Sequence, residues 1–494
     1  MQGRVSAKLR RRGGGDPARG DAAGRAVLDF RTPPQTPMQV LDSAPTAPST
    51  PRAGLPRPAG VRGALAQHIL ADGYDMVLDM DASQGHYLRD ARTGRDYVDL
   101  FTFYASSALG MNHPGLAGDG PQAAAFRERL MDAALNKVAN SDVYTPHFAR
   151  FVETFGRVGI PEQLPHAFFV SGGALAVENA LKTAFDWKVR KNLAAGRGEK
   201  GSKVLHLREA FHGRSGYTMS LTNTDPNKVA YFPKFDWPRI DTPKVRDAGA
   251  GTTVEEREAA AMAQAEAAFA ASPHEIAAII LEPIQGEGGD NHFRPAFLQA
   301  LRGLADEHEA LLIFDEVQTG VGLTGTFWAW QGLGVTPDIL AFGKKTQVCG
   351  ILASRRIDEV ADHVFEKSSR INSTWGGNLV DMVRFDRILE VIEADDLVGH
   401  AWREGEHLLG RLGEMAERFE GVTDPRGRGL MCAFDLPTAE LRNAVVAEAY
   451  ERGAIVLGCG TRTIRFRPAL AITRAGLDEG LDILTASLRA TLEA

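Results

Sequence analysis

The sequence predicts an α/β protein: a large domain on a mainly parallel sheet, joined to a smaller α+β domain. Short apolar runs recur from about residue 165: HAFFV (166–170), KVLHL (203–207), AAIILEP (277–283), LLIFDE (311–316) and DILAFGK (338–344). Amphipathic stretches such as GGALAVENALKTAFDWKVRKN and RPAFLQALRGLADEHEA separate them. This is the βαβ alternation of a parallel sheet with helices on both faces. After about residue 385 the pattern changes to helices followed by RGLMCAFDL, AIVLGCG and TIRFRPAL.

Taken in order, the first 60 residues stand apart. MQGRVSAKLRRRGGGDPARGD is rich in Arg and Gly, and RTPPQTPMQVLDSAPTAPSTPRAGLPRPAG in Pro. Neither buries enough apolar surface to order itself, so residues 1–60 read as a disordered extension. No apolar stretch follows the arginines, which argues against a secretory signal, and Asp16, Asp21 and the prolines argue against a transit peptide. Met38 lies inside this extension as an alternative start. Residues 61–105 are expected to join 386–494 in the small domain, with 106–385 forming the large one. In the helix that follows HAFFV, the residues Leu175, Ala180, Leu181, Ala184 and Phe185 fall at helical spacing.

Composition narrows the function. A chain of 494 residues with net charge −7 and no basic block in its body does not suggest a nucleic-acid partner. No apolar run approaches the ~20 residues of a membrane span. The cysteines, Cys349, Cys432 and Cys459, form no C-x-x-C pair, so neither a zinc site nor a disulfide framework is indicated. A cytoplasmic location is expected on that ground.

Parallel sheets bind ligands at the C-terminal ends of their strands, and the polar motifs fall there. LLIFDEVQTG ends a strand in Asp315 and Glu316. Nucleotide hydrolases also end strands this way, but they need a phosphate loop. The nearest candidate here, GRGEKGSK (196–203), has Ser and Lys in the wrong order. Asp315, Gln318 and a lysine 29 residues after Asp315, read as DEVQTG and then TPDILAFGK, are more specific. VSGGALAVENALK, AFHGRSGYT (210–218), EPIQGEGGD (282–290), NSTWGGN (372–378) and TIRFRPAL (463–470) add to the set.

In these motifs, from about residue 62 to the C-terminus, the chain resembles the class III aminotransferases, which use pyridoxal 5′-phosphate. The resemblance implies the fold type I architecture of such transferases. It makes Lys344, directly after Gly343, the Schiff-base lysine, with Lys345 its neighbour. Asp315 would keep the cofactor ring nitrogen protonated, and Gln318 would bond the ring O3′. Gly173 and Ala174 align with the phosphate cup, where many members carry Ser or Thr in place of Ala174. Phe211 would stack on the ring. Arg214 would anchor the distal carboxylate of the donor, and Arg465 the α-carboxylate of 2-oxoglutarate. Glu287 would cover Arg465 while the donor is bound; a fixed structural salt bridge is the rival reading. Thr374 would reach the phosphate, and Asn372 the substrate, of a neighbouring subunit, which implies a homodimer with shared sites. Cys349 replaces the first of two glycines usual after the lysine, and Asn112 in FTFYASSALGMNHP replaces a usual histidine.

Together with FPKFDWPRID and FGKKTQVCG, these stretches look most like the lysine ε-aminotransferase branch. That implies transfer of the ε-amino group of L-lysine to 2-oxoglutarate, giving glutamate and 2-aminoadipate 6-semialdehyde. A 4-aminobutyrate or ornithine aminotransferase is the alternative, and a catalytically silent binding protein on the same fold is a third. No metal is implied.

Overall fold

The computed structural model describes residues 54–246 and 251–493. Nearly all of the 1–60 extension, including Met38, lies outside the described residues. A helix, Pro58–Leu65, with proline in its first turn, straddles the expected boundary at residue 60.

Seven strands form the main sheet. In spatial order they are His166–Val170, Cys349–Ala353, Ile339–Phe342, Leu311–Asp315, Ile276–Leu281, Lys203–Leu207 and Arg239–Ile240. Cys349–Ala353 runs antiparallel to both its neighbours; the other pairings are parallel. Every residue of Ile276–Leu281, Leu311–Asp315 and Ile339–Phe342 is buried, as parallel strands covered on both faces require.

The helix Gly173–Ala194 packs on this sheet through Ala180, Leu181 and Ala184, while Phe185 is half-buried. Leu175 departs from the expected apolar stripe: it is 45% exposed, because it sits in the first turn at the rim of the sheet. Lys188, on the same helix, is fully buried. Its ammonium donates to the carbonyls of His308 and Glu309, just past the end of the helix Pro295–Glu307. The His308 carbonyl, at the helix C-cap, is one a helix C-terminus leaves without a partner.

Three smaller sheets complete the fold among the described residues, one of them the two-stranded pair Ile284–Gln285 and Asn291–His292. Asp96–Asp99 pairs antiparallel with Tyr87–Arg89 and parallel with Ala454–Ile455, so segments far apart in sequence share one sheet. Thr423–Arg428, Met431–Asp435, Thr463–Phe466 and Leu457–Cys459 form an antiparallel sheet in that order. The strands Ile276–Leu281, Leu311–Asp315 and Ile339–Phe342 stop short of the ends of the runs that announce them. Glu282, Glu316, Gly343 and Lys344 therefore stand just beyond the strand ends.

Candidate active site

The C-terminal ends of three adjacent parallel strands carry Glu282, Asp315 and Lys344. The DE pair divides its work. Asp315 accepts from the backbone N–H of Val317 at 3.1 Å and pairs with His212 Nδ1 at 2.8 Å. Glu316 turns the other way and caps the helix Ala329–Leu333, accepting from the N–H groups of Ala329 and Trp330. Burial pushes the Glu316 carboxyl up to about 7. Glu282 is likewise pushed up to about 7 by burial, and accepts from the N–H groups of Phe211 and Gly286.

The two lysines of FGKK also separate. Lys345 is 2% exposed, and its amine donates to Gln318 O at 2.9 Å and Ala105 O at 3.4 Å. Burial, followed by repulsion from Lys344, lowers it well below the ordinary lysine range. Lys344 is half-buried, and its amine has no hydrogen-bond or ion-pair partner among the described residues. Burial lowers it to about 8, against an opposing pull from Asp315. Of the two amines, that of Lys344 is the one left uncommitted among the described residues.

Gly343 explains why this lysine stands beside a helix end. A Cβ there would meet Cys349 Sγ at 3.0 Å and Val317 Cγ1 at 3.2 Å, and lie 3.6 Å from Gly173 Cα. The helix Gly173–Ala194 opens after Gly172, at φ 111°, with no side-chain cap. Its first N–H groups thus face the cluster as anion donors. The H-G-R turn lies against it: a Cβ at Gly213 would fall 2.6 Å from Ala174 Cβ.

Two arginines come from one strand. Positions 465 and 467 are two residues apart on Thr463–Phe466 and its end, so they share a face. Arg465 is 2% exposed and meets Glu287 at 3.3 Å and Gln318 Oε1 at 3.4 Å; its Nε has no partner among the described residues. Glu287 also pairs with Lys228, whose ammonium lies 5.7 Å from the centre of the Phe211 ring. Burial favours the neutral acid at Glu287, but Arg465 and Lys228 outweigh it and hold the carboxyl below the usual range. Arg467 is fully buried, bidentate to Asp290 at 2.5 and 2.9 Å, and its Nε donates to Gln318 Oε1 at 2.9 Å.

The structure thus brings together Lys344, Asp315, Gln318, Phe211, Gly173, Ala174, Glu287 and Arg465. It does not join Arg214, Asn372 or Thr374 to them. Arg214 is exposed and without a polar partner among the described residues. Asn372 and Thr374 lie on an exposed loop, where Asn372 accepts from the N–H of Ser373 and the Thr374 carbonyl accepts from Ser141. Asn112 is a structural substitution: at φ 47° its amide donates to the carbonyls of Met80 and Ser83. His212, Glu282, Lys228, Asp290 and Arg467 are additions to the expected set. For Arg467 the signal was present in the two-residue spacing of RFR. His212, Glu282 and Asp290 stand inside the motifs AFHGRSGYT and EPIQGEGGD; for Lys228, outside every motif, no spacing rule links it to the site. Among the described residues no cluster of His, Cys, Asp or Glu has the form of a metal site, and no helix is long and apolar enough to cross a membrane.

Comparison with known proteins agrees with this geometry. A family model described as Aminotransferase class-III matches residues 69–488. An L-lysine-epsilon aminotransferase of Mycobacterium tuberculosis is 58% identical over 433 residues, covering 87% of this chain and 96% of the relative. The structure of a lysine aminotransferase from M. tuberculosis in the internal aldimine form superposes with a TM-score of 0.85 at 58% identity, over 89% of this chain and 99% of that one. A probable mitochondrial 4-aminobutyrate aminotransferase of Caenorhabditis elegans is 33% identical over 441 residues, covering 83% of this chain and 88% of the relative.

Proposed function

The chain belongs to the class III aminotransferases, and from that premise we propose that it moves the ε-amino group of L-lysine to 2-oxoglutarate, giving glutamate and 2-aminoadipate 6-semialdehyde. It has the fold type I architecture, and its cofactor is pyridoxal 5′-phosphate. The site fits that group. It holds an uncommitted amine at Lys344, a buried carboxylate at Asp315 for the ring nitrogen, and an uncapped helix end at Gly173 and Ala174 for the phosphate. When bound, the cofactor supplies an electron sink for the carbon that loses a proton.

The observation that carries the reading is Arg465 lying buried under Glu287. A donor that reacts at its ε-carbon brings no carboxylate to the reacting centre, whereas 2-oxoglutarate does. Glu287 covers Arg465 in the first case and yields it in the second, moving onto Lys228, with which it is already paired. Arg214, exposed and with no polar partner among the described residues, is the group we propose for the distal carboxylate of the lysine. Lys344, with its amine at about 8, is neutral often enough near that pH to carry a proton between substrate and cofactor. His212 fixes the Asp315 carboxylate in place.

We further propose a homodimer with shared sites. The exposed loop bearing Asn372, Thr374 and the 40%-exposed Trp375 supports a face that meets a second copy. A cytoplasmic location is supported by three buried, unpaired cysteines.

Isotopic labelling tests the reaction. With L-lysine carrying 15N at the ε position and 2-oxoglutarate, the label is expected in glutamate; with 15N at the α position it is not. Label passing from the α position alone would overturn the proposal.

A further inference from the structure

Two strained turns face each other beside Lys344. The first is Thr102–Ala105, four consecutive left-handed residues with φ of 42°, 53°, 61° and 66°, none of them glycine. L-residues disfavour this conformation, and runs of it are rare. The second carries Lys344 itself, at φ 56°, and Gln347 at φ 61°, ψ −61°. Val348 N–H donates to Thr346 O at 2.7 Å across Gln347, which makes this the rare, strained form of the γ-turn.

The Thr102–Ala105 turn is pinned from outside. Asp99 Oδ1 accepts from the N–H groups of Phe101 and Thr102, and the Thr102 hydroxyl donates to Arg467 O at 2.6 Å. Between the turns run two cross-ties. Lys345 Nζ donates to Ala105 O and Gln318 O, and Gln347 Nε2 donates to Ser106 O at 3.0 Å and back to Lys344 O at 3.3 Å. Strained backbone of this kind persists only where its surroundings over-determine it.

We propose that Lys345 and Gln347 are positioning residues: they clamp the strained turn bearing Lys344 onto the left-handed turn at Thr102–Ala105, and so fix where the Lys344 amine stands. Lys345 also holds the backbone of Gln318, whose side chain Arg467 grips from the other end. Releasing either tie lets the γ-turn relax and the Lys344 amine drift. The inference rests on Lys344 as the cofactor's anchor, not on which amine is the donor.

The test uses holoenzyme variants Gln347→Leu and Lys345→Met, which keep bulk and remove the donors. The first readout is the pH midpoint of the bound cofactor's visible absorbance, which needs no turnover. Each variant is expected to shift it by about half a unit or more. The second readout is kinetic: kcat is expected to fall about tenfold while KM for 2-oxoglutarate changes less than about twofold. Because both ties restrain one turn, the double variant should lose markedly less than the product of the single losses. An unshifted midpoint and unchanged kcat, with only a lowered melting temperature, would overturn the proposal and make both residues buried filler. Should an apolar variant fail to fold, Gln347→Asn reads the same signal. Its shorter amide gives a smaller shift in the same direction, and no shift overturns the proposal. A wild-type protein without cofactor absorbance would instead refute the aminotransferase reading.

Discussion

Replacing Glu287 with alanine should separate the two half-reactions. In the wild-type site, Glu287 lies 3.3 Å from an arginine that is 2% exposed. Breaking a fully buried pair typically costs ~3–5 kcal/mol. Here the Glu287 side chain keeps 26% of its exposure, and Arg465 retains Gln318 Oε1 at 3.4 Å. The expected penalty therefore sits below that range, at roughly 1.5–3 kcal/mol, or about tenfold to a hundredfold. It falls only on the lysine half-reaction, because 2-oxoglutarate brings its own carboxylate to Arg465. Single-turnover kcat/KM for lysine and for glutamate, each against wild type, gives the shift as a ratio. Arg465→Ala should bias the ratio the other way. Lys228→Met, which removes the second seat of Glu287, should slow the 2-oxoglutarate half. Because Arg465 and Lys228 hold the Glu287 carboxyl below its usual range, the bias should not change between about pH 6 and 9. Equal slowing of both halves by Glu287→Ala would mean that Glu287 does not switch and is only a structural partner of Arg465.

Borohydride reduction followed by peptide mapping should place the pyridoxyl group on Lys344. Label on Lys345 would contradict the distinction between a free and a tied amine. Burial holds the Lys344 amine at about 8 rather than 10.5, so the cofactor-free protein gains stability as pH rises through that window and loses it as pH falls back. Lys344→Met should accordingly raise the unfolding free energy of the cofactor-free protein at pH 7 by up to roughly 3 kcal/mol, an advantage that fades by pH 10; a pH-independent difference would contradict it. Asp290→Ala leaves Arg467 buried without its counter-charge and should destabilise the fold by about 3–5 kcal/mol in urea melts, while a loss below about 1 kcal/mol would mean the pair is solvated.

The parallel core could be read from the sequence because its strands are continuous apolar runs bounded by turn residues. The strand Cys349–Ala353 could not. The turn that folds it back is a γ-turn centred on Gln347, with no Gly, Asn or Pro to announce it. The left-handed turn at Thr102–Ala105 is hidden for the same reason. Lys344, Asp315, Glu287 and Arg465 were legible because each sits in a motif at a strand end or glycine turn. Within KK and DE, composition and periodicity do not separate the two members; only the register of the family motif singles out Lys344 and Asp315. Which member faces the site depends on whether a neighbour, Gln318 O for Lys345 or the Ala329 helix for Glu316, has already claimed it.

Steady-state kcat/KM for a panel of amine donors with 2-oxoglutarate, scored by glutamate formed, distinguishes the donors. The proposed transfer of the lysine ε-amino group predicts L-lysine first, with ornithine and 4-aminobutyrate at least about tenfold lower, a difference of ~1.4 kcal/mol. A panel led by 4-aminobutyrate or ornithine, with lysine at background, would contradict it.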